Sequence, residues 1–244
     1  MYSVLKSFVK SLLPRRVLFA GEPVLRLAVY QLYRGNRYAC PVCSRHMRAF
    51  IDLPMGEKLC PACGSLGRGR RLWQLLHEEF YRPGLTVLDF SPSRSLYRAL
   101  KQDARIHYES TDLSGDFMAD QQYDITRIDA SSATYDLILC YHILEHIPDD
   151  RQAMRELRRV LKPCGICLIQ TPFREGGIYE NEAVRTDAER LAHFGQADHV
   201  RVYSVAGLTE RLQASGFRVQ VREFQEATDN RFGFKPQEVV LVCS

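Results

Sequence analysis

The chain has 244 residues, 45% hydrophobic and 25% charged, the balance of a globular protein long enough to bury a sizeable core, which excludes a disordered or fibrous chain. No stretch approaches the roughly 18 uncharged apolar residues of a membrane-spanning helix. Lys6, Lys10, Arg15 and Arg16 interrupt every apolar run near the N-terminus that could serve as the core of a signal peptide, so the expected location is cytoplasmic. Thiols stay reduced there, and the 8 cysteines read as metal ligands or buried thiols rather than as a disulfide framework. The net charge of +4 conceals an asymmetry: residues 1–82 carry 14 Lys/Arg against 5 Asp/Glu, a balance of +9, and the remainder is at −5. A basic front end attracts phosphates, acidic glycans or anionic lipid by its field without choosing among them.

In residues 1–37, Val4, Leu5, Phe8, Val9, Leu12 and Leu13 recur at helical spacing with Lys6 and Lys10 between them, which predicts a basic amphipathic helix. Pro14 should stop or bend it, and a second helical stretch, Val24 to Tyr33, should end near Gly35. Such a stripe over residues 1–35 suits peripheral contact with a membrane or a partner; it equally suits packing on the body of the same chain or on a second copy.

Cys40-Pro-Val-Cys43 and Cys60-Pro-Ala-Cys63-Gly64 are two Cys-x-x-Cys knuckles separated by sixteen residues, which defines a module over residues 38–66. At this spacing four thiolates can close a tetrahedron around Zn²⁺, and a loop so short has little other core. Four cysteines leave no open coordination position, so the expected zinc folds the module rather than catalyses. A redox dithiol explains two matched knuckles poorly. His46 stands nearby as a substitute ligand but reads as an exposed residue. Arg68, Arg70 and Arg71 then crowd the start of the helix that carries Leu72 to His77. Cations there oppose the helix dipole, and they read as solvated surface or as an anion-facing patch.

From residue 85 short apolar runs alternate with amphipathic stretches. Strands are predicted at 85–90, 105–110, 123–125, 135–140, 165–170, 218–224 and 238–242, with helices at 95–100, 151–161 and 205–214. The last two strands have no helix between them, so an antiparallel hairpin should close an otherwise parallel α/β sheet of seven strands. Ligands of such a sheet bind beyond the carboxyl ends of its strands. Asp89 closes the first strand and Asp112 follows the second, where a carboxylate can accept hydrogen bonds from both ribose hydroxyls of an adenosine cofactor. Asp124 follows the third and suits an adenine amino group, with the Ile125 amide facing the ring.

These segments resemble the class I S-adenosylmethionine-dependent methyltransferases. Val87-Leu-Asp89 matches the opening of their first motif, and Tyr135-Asp-Leu-Ile-Leu-Cys-Tyr-His-Ile-Leu-Glu-His-Ile-Pro-Asp149 with Met154-Arg-Glu-Leu-Arg-Arg-Val-Leu-Lys-Pro163 is similar to the fourth strand, helix and turn of the small-molecule-like branch. The resemblance implies a Rossmann-like domain over residues 67–244 that binds S-adenosylmethionine through Asp89, Phe90, Ser91, Asp112, Asp124, Ile125 and Tyr141. It also implies a metabolite, lipid-linked sugar or polysaccharide as methyl acceptor. One motif departs: Asp89 is followed by Phe90-Ser-Pro-Ser-Arg-Ser95, with no glycine to let the backbone approach a cofactor. A non-catalytic zinc-dependent binding protein on the same scaffold is the alternative this departure favours. RNA as acceptor is the alternative favoured by the basic front end.

Glu145, His146, His193 and His199 are the acceptor-side candidates for catalysis, with His193 or His199 as the general base near neutral pH; the resemblance also allows Glu145, His146 and a downstream histidine to bind Mg²⁺ beside an acceptor hydroxyl. Arg201 and Tyr203 supply groups for an anion clamp, or else the whole loop satisfies itself. His142-Ile-Leu-Glu145-His146 also spells the motif of inverted zinc peptidases, which requires one long helix that Pro148 opposes. Cys164 and Cys167 read as buried thiols.

Overall fold

The computed structural model describes residues 15–226 and 228–244. The amphipathic stretch expected over Val4 to Leu13 lies outside the described residues. The chain divides into two compact units, one of residues up to Leu75 together with Glu226–Lys235, the other of Leu76–Gln225 with Pro236–Ser244.

The first unit's described part opens with α1 (Arg15–Gln31), which carries Pro23 within it. Four short strands follow: β1 (Arg34–Ala39) pairs antiparallel with β2 (His46–Met47), and β3 (Ile51–Asp52) with β4 (Lys58–Leu59). The helix α2 (Gly67–Leu75) closes this part of the chain. Residues 226–235, the connection between the last two strands, belong to the same unit: the Ala39 amide donates to the Arg231 carbonyl at 3.0 Å.

Two of the three arginines at the start of α2, Arg70 and Arg71, are buried rather than solvated as expected. Arg70 is fully buried and donates to four backbone carbonyls, those of Ser65, Phe232 and Gly233 at 2.6 Å and of Lys58 at 3.1 Å. Its guanidinium lies 4.1 Å from the centre of the Phe50 ring, and that of Arg71 lies 3.7 Å from Phe234. The reason is that the loop 226–235 brings unpaired carbonyls and aromatic faces that only long, multi-donor cations satisfy.

The second unit is an α/β layer structure around a six-stranded sheet. Its strands are β5 (Thr86–Phe90), β6 (His107–Thr111), β7 (Tyr135–Tyr141), β8 (Leu161–Gln170), β11 (Val219–Gln225) and β12 (Gln237–Cys243), in the order β11-β12-β8-β7-β5-β6; α3 (Arg94–Lys101) joins β5 to β6, and β9 (Tyr179–Glu180) pairs antiparallel with β10 (Arg201–Val202) outside the sheet. β6, β5, β7 and β8 run parallel, and β12 is antiparallel to both β8 and β11. Leu88, Ile138, Cys140, Cys167, Ile169 and Leu241 from these strands pack on Met154 and Leu157 of α4 (Asp150–Val160) and on Leu208 and Leu212 of α6 (Val205–Ala214), all fully buried. Cys167 is thus a buried thiol as expected, whereas Cys164 is exposed.

The sheet has six strands among the described residues, not seven. At Tyr123–Ile125 the backbone is diverted by side chains: the Thr111 hydroxyl accepts from the Tyr123 amide at 2.7 Å, and Asp124 accepts from the Thr126 amide at 2.8 Å. Only isolated bridges remain there, Thr111 with Gln121 and Asp124 with Arg127. Order reverses between β5 and β7, because the chain passes from β5 to β6 on one side and returns to β7 on the other. That reversal places a crevice at the carboxyl ends of β5 and β7. No described helix is long and apolar enough to cross a membrane.

Candidate active site and candidate metal centre

The turn after β5 explains how a glycine-free motif is accommodated. Ser91 takes a positive φ of 46°, the left-handed backbone that glycine would adopt without strain. Its amide donates to the Thr111 carbonyl at 2.7 Å, and its hydroxyl donates to Asp112 Oδ1 at 2.7 Å. Asp112, just past β6 and 4% exposed, also accepts from the Ser114 hydroxyl at 2.9 Å and the Phe117 amide at 3.3 Å. Burial opposes its charge, but these donors outweigh it and hold the carboxyl below its ordinary range. An ionised acid beside the reversal of strand order has the chemistry to accept ribose hydroxyls, so the residues present fit an adenosine cofactor.

The other expected cofactor residues are placed differently. Asp89 is buried and accepts from the Tyr108 hydroxyl at 2.9 Å; burial raises its pKa to about 7 against the pull of that bond. Phe90 and Ile125 sit in the core. Asp124 is exposed and turns back on Thr126, taking both its amide and its hydroxyl. Tyr141 ends β7 and is half-buried.

Beyond β7 the backbone makes a sharp bend at His142, with φ of 57°, into a 3₁₀ turn at Leu144–His146. This short turn, in place of a long helix, removes the geometry of an inverted zinc peptidase. α5 (Asp187–Phe194), capped by Thr186 and Glu189 and ended by Gly195 at φ 83°, delivers the loop that carries His199. The Val200 amide donates to the Glu145 carbonyl at 2.9 Å and ties that loop to the turn.

Glu145, His146 and His199 come together with ligand-capable atoms within 4.8 Å of one another. His142, which was not among the expected site residues, completes the group: its Nδ1 lies 3.3 Å from Glu145 Oε1. The rings of His146 and His199 meet edge to face at 4.6 Å, and His146 Nδ1 is 3.2 Å from Asp198 Oδ2. Glu145 Oε2 and His199 Nε2 are buried with no hydrogen-bond partner, and Oε1 has the His142 imidazole beside it. Orphaned polar atoms of this kind are rare in folded proteins and mark a place where something else bonds. Burial opposes the Glu145 charge, yet the neighbouring imidazoles, His142 foremost, hold its pKa below the ordinary value. Burial and then the charge of His146 push His199 below the usual imidazole value.

His193 is not in this group. It is exposed on α5, and its Nδ1 lies 2.6 Å from the Tyr179 hydroxyl. The anion clamp is also corrected: Arg201, 6% exposed, donates to the carbonyls of Leu144, Ile147 and Pro148 and to Glu180, and the fully buried Tyr203 hydroxyl donates to Asp150. Arg201 is therefore the strut that fixes the turn bearing Glu145. A groove of about 620 Å³ lined by Arg151, Gly177, Ile178, Ser204, Gly207 and Arg211 includes none of the clustered residues.

In the first unit the two knuckles fold alike. Ser44 donates its amide to the Cys40 carbonyl at 2.8 Å and Gly64 donates to that of Cys60 at 2.9 Å, both with positive φ, 55° and 78°. All four sulfurs lie within 4.8 Å of one another, with Cys40 to Cys63 at 3.6 Å and Cys43 to Cys60 at 3.9 Å. A ZnS₄ tetrahedron with bonds of about 2.3 Å has edges of about 3.8 Å, so the donor set fits Zn²⁺. These separations are far longer than a disulfide bond of about 2.05 Å, and every cysteine is free. The Ser65 hydroxyl lies 3.2 Å from Cys40 Sγ and 3.3 Å from that of Cys63. His46 is exposed, as expected.

Comparison with known proteins bears on the second unit. Two ubiquinone biosynthesis O-methyltransferases are similar: one from Xanthomonas oryzae pv. oryzae, 28% identical over 133 residues (54% of this chain, 49% of that protein), and one from Coxiella burnetii, 25% identical over 180 residues (73% and 70%). The chain thus spans about half the length of the first of these relatives. A structure of a SAM dependent methyltransferase from Archaeoglobus fulgidus superposes with a TM-score of 0.51 at 16% identity, over 72% of this chain and 95% of that one, which shows a shared fold. The model of the family described as "Methyltransferase domain" matches residues 66–221, more than half of the sequence, and the chain belongs to that family.

Proposed function

We propose that the protein is an S-adenosylmethionine-dependent methyltransferase whose acceptor is a small molecule or glycan bearing a hydroxyl group, and that Cys40, Cys43, Cys60 and Cys63 hold a structural Zn²⁺. The observation that supports this reading is the pair of orphaned buried atoms, Glu145 Oε2 and His199 Nε2, beyond the end of β7 next to the reversal of strand order.

When bound, S-adenosylmethionine supplies an electrophilic methyl carbon. Asp112 would accept the ribose hydroxyls in exchange for the Ser91 hydroxyl now bonded to it. His199 Nε2 would take the acceptor's proton as its oxygen bonds to the methyl carbon and the carbon–sulfur bond breaks, releasing S-adenosylhomocysteine, and Glu145 would stabilise the imidazolium that results. Position does most of the work, which is why Arg201 fixes the turn and Val200 fixes the loop. The names of the Xanthomonas and Coxiella relatives favour oxygen as the nucleophile. RNA loses support because Arg70 and Arg71, two of the cations that would have met it, are buried within the first unit.

With Zn²⁺ bound, the buried Arg70 guanidinium would offset part of the negative charge of the four thiolates. Formation of S-adenosylhomocysteine with a panel of hydroxylated metabolites and sugars tests the activity. Turnover with at least one acceptor, lost in His199→Gln, is expected; turnover undiminished in that variant removes His199 as the base.

A further inference from the structure

The cluster beyond β7 has features that a general base alone does not require. Glu145 and His146 stand on one 3₁₀ turn and His199 in the loop after α5, and Arg201 and the Val200 amide tie the two segments together through the carbonyls of Leu144, Glu145, Ile147 and Pro148. One ligand-capable atom from each of the three residues lies within 4.8 Å of the other two. Each residue is also braced at one polar atom, which leaves the other to ligate. His146 Nδ1 lies 3.3 Å from the Asp198 carbonyl oxygen and 3.2 Å from Asp198 Oδ2. The His199 ring donates to the Phe194 backbone carbonyl, so its bonded nitrogen is the one other than the orphaned Nε2. Glu145 Oε1 has His142 Nδ1 at 3.3 Å, and Oε2 has no partner. Imidazoles tied through one nitrogen to a carbonyl or carboxylate, and carboxylates themselves hydrogen-bonded, are the arrangement by which proteins orient metal ligands.

Two imidazoles and a carboxylate make a three-ligand set with a position left open. The atom types choose the ion. Mg²⁺ takes oxygen ligands and keeps its waters, so two nitrogen donors disfavour the Mg²⁺ that the sequence resemblance allows, whereas Zn²⁺ and Co²⁺ accept nitrogen and oxygen together. Donors on a tetrahedral ion with bonds of about 2.0–2.2 Å stand about 3.4 Å apart. His146, with 29% of its side chain exposed against 1% for Glu145, is the ligand free to rotate to that separation and the side from which an ion enters. We propose that Glu145, His146 and His199 form a second metal site, for a divalent ion of the Zn²⁺ class, and that the ion competes with the methyl acceptor. Ligation takes the lone pair on His199 Nε2 that proton abstraction needs. The competition rests on His199 being the base; the site itself does not.

The test is calorimetric titration of the full-length protein, already loaded with one equivalent of Zn²⁺, with further Zn²⁺, on the natural chain and on His146→Gln, with circular dichroism as a check on folding. Titration with Co²⁺, read by visible absorption, runs beside it. A further equivalent is expected to bind, at least about tenfold more weakly in His146→Gln. The Co²⁺ spectrum should show nitrogen and oxygen ligation without the thiolate charge-transfer bands that Co²⁺ in the knuckles would give, and excess Mg²⁺ should not displace the ion. In transfer assays the same Zn²⁺ should raise KM for the acceptor and leave kcat in place, and turnover retained by His146→Gln should need at least about tenfold more Zn²⁺ for equal inhibition. No further equivalent, equal affinity in His146→Gln, or Co²⁺ ligated by thiolates alone overturns the site, whatever the enzyme turns over. Displacement by Mg²⁺ overturns the choice of ion. A bound equivalent that speeds transfer or leaves it unchanged overturns the competition. Turnover undiminished in His199→Gln removes the base and the competition with it, while calorimetry and the Co²⁺ spectrum still decide the site.

Discussion

At the level of single residues, the roles proposed for His199 and Glu145 make a signed prediction from their surroundings. His199 titrates below the ordinary imidazole value of about 6.5 because it is buried beside His146. The base is competent only when neutral, so kcat/KM should rise with pH and level off above an inflection lower than about 6.5. Replacing the Glu145 anion with Gln removes a charge that favours the imidazolium, so the inflection should move lower still, whereas His199→Gln should cost about 10²–10⁴-fold. A pH profile centred well above 7 would show that another group is the base. Ser91 makes a second residue-level prediction. Its φ of 46° is tolerated by Gly and opposed by β-branched side chains. Ser91→Gly also frees Asp112 Oδ1 for a ribose, so it should bind S-adenosylhomocysteine at least as tightly as the natural protein, and Ser91→Val should bind it much less well. Calorimetric titration of the two variants checks the order.

Among the elements, Arg70 on α2 holds the most partners in the first unit. Arg70→Met keeps the volume of the stem but leaves the carbonyls of Ser65, Lys58, Phe232 and Gly233 without their donors, so destabilisation of at least about 3 kcal/mol is expected, read by urea denaturation. Nothing in the run Arg68 to Arg71 distinguishes such a residue from solvated charge, because its partners lie some 160 positions away in the connection between β11 and β12. Elements carried by local pattern were legible: the apolar runs at β5, β7, β8 and β12, the ends of α6, and the hairpin closing the sheet all follow from periodicity and spacing. The strand expected at Tyr123–Ile125 failed because Thr111 and Asp124 compete for its backbone, a contest between side chain and ladder that period-two alternation over three residues does not reveal. The site was legible in part for the same reason. Asp112 stands where strand order puts it, and Glu145 and His199 meet, but the capture of Arg201 and Tyr203 by buried acceptors, and the turning of Asp124 toward Thr126, depend on packing across distant segments.

For the whole molecule, the separation into two units predicts separable responses. With the proposed Zn²⁺ on the four thiolates, a strong chelator should unfold the knuckle region, because the metal would contribute most of what holds so small a module. Hydrogen exchange should then become fast over residues 34–66 and stay slow in β5, β7 and β8, whose core is independent of the metal. Uniform loss of protection in both units would show that the metal supports the entire chain.

The central claim is that the second unit binds the methyl donor through Asp112. Calorimetric titration of the zinc-loaded protein with S-adenosylhomocysteine, beside the Asp112→Ala variant, tests it most directly. Micromolar affinity, weakened by about 10–100-fold in the variant, is the predicted result, equivalent to about 1.4–2.7 kcal/mol for hydrogen bonds to a charged acceptor. The absence of binding by titration and by competition, or affinity indifferent to the loss of Asp112, would contradict it.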